Sequence, residues 1–203
     1  MKKIFVLLFP QQEYLEGRDD PKLFNKCIQK RYLEKGYEFY VAKYKDSDLG
    51  FVSLTPNKII EANITFKEST PYFTQNWQYA NFKDLAQKLN LSGNDNVVVG
   101  GFHCYDCVEK FAKEIYSLNH NTMIDGDLTE LFWGVSKFIE CWDINNYNPN
   151  LRLKNIIDRD YIEPSLVDYY IEKYSHPVWK VSKNVLDKIA KYKTAEQNDF
   201  SVQ

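Results

Sequence analysis

Cys104 and Cys107 stand where the apolar run Asn96 to Gly101 (NVVVGG) gives way to a helical pattern, and they are the side chains best placed for chemistry. Ligands of open α/β sheets bind beyond the carboxyl ends of the strands, and a strand over this run delivers Gly100 through Cys107 to that edge. A thiol in the first turn of a helix feels unpaired N–H groups and the positive dipole end, which favour thiolate over thiol. The same amides can hold the oxyanion formed when a thiolate attacks a carbonyl or nitrile. Two other readings compete. A C-x-x-C pair at a helix start also suits a thiol redox protein, although in thioredoxin-like chains the motif follows an early strand and here at least three elements precede it. A cysteine at such a junction can equally be a small apolar core residue.

The stretch Val97 to Val108 (VVVGGFHCYDCV) resembles the nucleophile segment of the isochorismatase-like cysteine hydrolases, which include the nicotinamidases. The resemblance implies a three-layer Rossmann-like fold, Cys107 as nucleophile on a small amide or related carbonyl, Cys104 turned into packing, and a non-proline cis peptide near Phe102-His103. Phe66-Lys67, with Phe73 beyond, resembles the catalytic-lysine segment, so Lys67 would support the thiolate. Ile4 to Leu15 resembles the first strand: Gln11 and Tyr14 match, but Phe9 occupies the place of the aspartate that takes the proton from the cysteine. Phenylalanine cannot accept a proton. Either a divergent member binds without turnover, or another carboxylate serves, with Glu13 and Asp106 nearest in sequence. Phe9, Phe102 and His103 would line the pocket, and Cys107 would alkylate faster than Cys27 or Cys141. The metal-binding residues of some nicotinamidases have no counterpart, and neither a metal nor a cofactor is expected.

The elements around these residues read as alternating strands and helices. Lys3 to Phe9 is a short apolar run closed by Pro10, the pattern of a strand covered on both faces. Asp20 and Pro21 open a helix that Gly36 ends, and Tyr37 to Tyr44 is a second strand, completing a right-handed βαβ unit. Phe51 to Phe66, broken by Thr55-Pro56-Asn57, suggests a hairpin or two short strands. Phe82 to Leu89 and Val108 to Tyr116 have helical spacing. Asn121 to Asp125 reads as a strand and Phe138 to Trp142 as another. Between them Asp127 and Glu130 have the spacing of a helix cap, a sufficient use for the Asp125-Gly126-Asp127 pair. Lys67 and His103 have similarly plain alternatives, as a solvated lysine and a structural histidine.

The expected architecture is therefore an α/β domain over residues 1–147 with a mainly parallel sheet, and a C-terminal extension, 148–203, carrying helices at Pro164 to Tyr174 and Val181 to Lys193. The extension would pack on the core or on a second subunit, leaving a homo-oligomer or a purely structural role open. With 26 Lys and Arg against 28 Asp and Glu, and no basic stripe, nucleic acid is not an expected partner. The apolar stretch Ile4 to Phe9 is too short for a signal peptide, and no window would span a bilayer. A cytoplasmic protein with reduced thiols and a small-molecule ligand is expected.

Overall fold

A computed structural model describes residues 1–12, 21–64, 79–119, 121–130, 143–159 and 164–199. Ile4 to Leu8 and Val97 to Phe102 are buried without alternation, because helices cover both faces of the sheet they enter. The strands are β1 (Lys3–Leu8), β2 (Glu38–Tyr44), β3 (Lys58–Ala62), β4 (Asn96–Phe102) and β5 (Thr122–Glu130). They form a sheet of order β3-β2-β1-β4-β5, parallel throughout. With helices α1 (Pro21–Arg31), α2 (Phe82–Gln87) and α3 (Glu109–Leu118) against it, this is a three-layer Rossmann-like α/β/α fold.

The order reverses between β1 and β4. The chain leaves β1 toward β2 on one side and leaves β4 toward β5 on the other, so their carboxyl ends flank a topological switch point. Gly101, at φ 119, makes this pairing possible, since a Cβ there would collide with the Leu8 carbonyl.

Three expectations are corrected. No hairpin forms in the described part of 51–66: β3 runs parallel to β2, and Asn57 ties the crossover down, its Oδ1 accepting from Phe39 N at 2.6 Å. The hydrophobic residues that suggested a strand there include Phe51, whose ring packs against Phe24 and Phe102. Second, no helix starts at Asp127. β5 continues to Glu130, and its register against β4 slips between Val99 and Gly101, so Asp125 to Leu128 bulge from the ladder. Third, the extension begins with an unforeseen helix, α4 (Pro149–Arg159), ahead of α5 (Pro164–Ser175) and α6 (Lys183–Asp199). Leu153, Ile156, Tyr174, Val178 and Trp179 are buried in the same core as the sheet, so the extension packs on the core. The expected strand at 138–142 lies outside the described residues.

The loop after β2 is fastened to α1 by one buried side chain. Asn25 Nδ2 donates to the Pro21 and Phe51 carbonyls at 2.6 and 3.1 Å, and Oδ1 accepts from Ser53 N at 3.0 Å. Asn25→Leu strands these backbone groups, and a loss of about 1–3 kcal/mol in urea unfolding is expected. A variant as stable as the native protein would show that water replaces the amide.

At the β3 edge, Lys88 Nζ donates to the Glu61 carbonyl at 3.1 Å and to Asn63 Oδ1 at 3.0 Å, while Lys58 Nζ donates to the Lys88 carbonyl at 2.7 Å.

Candidate functional site

Beyond Phe102, at the carboxyl end of β4, the Phe102-His103 peptide is cis, where the resemblance places one. The chain then makes a wide π turn over Cys104–Val108 before α3 begins, with Val108 N donating to the His103 carbonyl at 3.1 Å. Both cysteines of the turn are free thiols with different surroundings. Cys104 is fully buried on the β5 and α4 side, where burial raises its thiol and Arg152 and Thr129 oppose the rise. Cys107, 4% exposed, faces Asp106 and Lys110.

The helix start is not the dominant influence on the Cys107 thiol. Burial, and after it the Asp106 carboxylate, push its thiol up to about 12, against weaker opposing pulls from Lys110 and the His103 backbone amide. Cys27 is pushed up to about 11, chiefly by burial. Burial raises both thiols, so thiolate availability alone favours neither; Cys141 lies outside the described residues.

Asp106 is the carboxylate the structure brings to the sulfur. Its Oδ2 lies 3.9 Å from Cys107 Sγ and accepts from the Tyr79 hydroxyl at 3.1 Å, while Oδ1 pairs with Lys110 Nζ at 2.6 Å. Lys110 in turn sits 3.8 Å from the centroid of the Tyr79 ring. Burial and Asp106 raise Tyr79, which keeps its proton and remains the donor.

The other expected site residues that are described have different surroundings. Phe9 is fully buried at φ 51, its ring stacked on Tyr44 at 4.0 Å, on the β2 side of β1 rather than the β4 side. Phe102 belongs to the aromatic cluster with Phe24 and Phe51. His103 caps the π turn through its backbone carbonyl and is half-buried. Lys67 and Glu13 lie outside the described residues, as do Phe66, Phe73 and Tyr14.

A second polar cluster escaped sequence reasoning. Arg31, from the last turn of α1, donates through Nη1 to both oxygens of Asp125 at 3.1 and 2.9 Å and through Nη2 to Asp127 at 2.9 Å. Arg152 of α4 reaches the other Asp127 oxygen at 3.2 Å, and the Tyr32 hydroxyl donates to Asp125 at 2.6 Å. The Asp-Gly-Asp segment thus binds two arginines, and Gly126 leaves room for them: a Cβ there would lie 2.7 Å from the Arg152 side chain.

An open groove of about 630 Å³ lies along β3, away from Cys107, lined by Lys43, Lys58, Ile59, Ile60, Glu61 and Lys88. Among the described residues no group of three or more His, Cys, Asp or Glu could hold a metal ion, and no helix is long and apolar enough to cross a membrane. Comparison with protein-family models, curated proteins and solved structures finds no match to this chain. The class defined by fold and site together is a Rossmann-like α/β protein with a buried thiol at its switch point.

Proposed function

We propose that this chain is a divergent isochorismatase-like cysteine hydrolase, acting in the cytoplasm on a small amide or related carbonyl compound without a cofactor. The observation that carries the reading is the position of Cys107: on the turn that leaves β4, the strand that pairs with β1 where the sheet order reverses. Ligands of this architecture gather there. In this reading Cys107 attacks the carbonyl carbon, and its own N–H and a neighbouring amide receive the oxyanion. In this reading Lys67 supports the thiolate, as the resemblance implies. The small opening left around a thiol 4% exposed favours a small substrate. With Phe9 in place of the family aspartate, hydrolysis of nicotinamide is expected to be barely detectable.

The test is acylation by p-nitrophenyl acetate. A stoichiometric burst of p-nitrophenol, with the acetyl group mapped to Cys107 and lost in Cys107→Ala, is expected. Acetylation confined to lysines, or a burst that persists in Cys107→Ala, would remove the hydrolase reading.

A further inference from the structure

Neighbouring residues on an α-helix point in directions about 100° apart and do not face each other. The π turn over Cys104–Val108 departs from that geometry, and Asp106 comes to lie against the thiol of the residue that follows it. Its carboxylate is held from two other directions, by Lys110 on Oδ1 and Tyr79 on Oδ2. The Asp106, Lys110 and Tyr79 side chains form the solvent side of a thiol that is otherwise enclosed: Asp106 and Lys110 side chains are 22% and 49% exposed, and Tyr79 is 46% exposed. An exposed Asp–Lys pair four residues apart contributes only a few tenths of a kcal/mol to a helix, which does not account for the contact with sulfur.

We propose that Asp106 is the proton acceptor for Cys107, in the role that Phe9 cannot fill, and that Lys110 and Tyr79 are positioning residues that hold its carboxylate. This rests on the hydrolase reading above. As the Sγ lone pair bonds to the substrate carbonyl carbon, the thiol proton passes to Asp106 Oδ2 and the C=O π pair moves onto oxygen. Collapse of that oxyanion breaks the bond to the leaving nitrogen, which takes the proton back from Asp106. Water then adds to the thioester, giving one proton to Asp106, and the departing thiolate recovers it as the acid is released. The sum is amide plus water to carboxylic acid plus amine, with no change of oxidation state.

The structure implies opposite effects on two reactions of the same sulfur. Removing the Asp106 charge takes away a group that opposes thiolate formation, so in Asp106→Asn iodoacetamide labelling of Cys107 at pH 8 should become faster. Acylation by p-nitrophenyl acetate should become about 10²-fold slower, since the base is gone. In the native protein the acylation rate should be nearly level across neutral pH; in Asp106→Asn it should rise about tenfold per pH unit as free thiolate takes over. Asp106→Glu should recover part of the rate, and Lys110→Met should slow labelling. A purely helix-stabilising Asp106 would shift the melting temperature without moving the two reactions in opposite directions. Cys107-dependent acylation at the native rate in Asp106→Asn would overturn the assignment and leave the hydrolase reading standing. No Cys107-dependent acylation in the native protein would overturn both.

Discussion

Arg31→Met is expected to lower folding stability by about 3–5 kcal/mol, read as a fall in the urea midpoint at constant slope. The Arg31 and Asp125 side chains are 1% and 0% exposed, so loss of the guanidinium leaves a carboxylate in a dry interior with the Tyr32 hydroxyl and the Asp127 amide as its neighbours. Arg31 also donates to the Asp143 carbonyl, which ties the start of the extension to the end of α1. The net worth of the intact pair is smaller than this loss, because desolvation of two charges offsets most of their attraction. Arg31→Met combined with Asp125→Leu should therefore recover much of the stability lost in Arg31→Met alone. A single variant that loses less than about 1 kcal/mol would show that water enters the cluster.

Alkylation of Cys107 is expected to be slow at neutral pH and steeply base-dependent. A thiol moved from 9.0 to about 12 has roughly a thousand-fold less thiolate below pH 9 than an ordinary cysteine. Iodoacetamide labelling followed by peptide mapping should show the rate climbing about tenfold per pH unit between pH 8 and 11. The same shift bears on stability. Above pH 9.0 the unfolded chain gives up thiol protons that the native protein keeps at Cys27, up to about 11, and at Cys107, up to about 12. The unfolded state then binds fewer protons, so stability should fall as pH rises through this range and be fully retained below pH 9. Labelling of Cys107 at pH 7 at the rate of a small free thiol would instead restore the view that the helix start activates it.

Much of the sheet could be read from residue patterns. The unbroken apolar runs of β1 and β4 signal burial on both faces, and Pro21 and Gly36 mark the first helical crossover, Gly36 at φ 80. α4 also carried its signals. Asn148 Oδ1 accepts from Asn150 N and Leu151 N at 3.1 Å, Pro149 takes the first helical position, and Leu153 and Ile156 turn inward. The Asp-Gly-Asp segment misled because a cap and an ion-paired bulge use the same residue types. What distinguishes them here is Arg31, 94 residues from Asp125, and such a partner leaves no local trace. At the candidate site the placement of Cys107 after β4 was legible, but the rise of its thiol was not, because its first cause is burial and burial is a tertiary property. Asp106 was visible as a nearby carboxylate; only the π turn sets it against the sulfur.

The lysines at the β3 edge bear on how copies of this chain could associate. A strand laid against an exposed sheet edge extends the hydrogen-bond ladder, which is a route to unwanted aggregation. Here a newcomer would first have to dislodge Lys88 from the Glu61 carbonyl, from Asn63 and from its 2.9 Å pair with Asp84. It would then have to accommodate an ammonium group where its own backbone should run. Among the described residues, that edge is a guarded one.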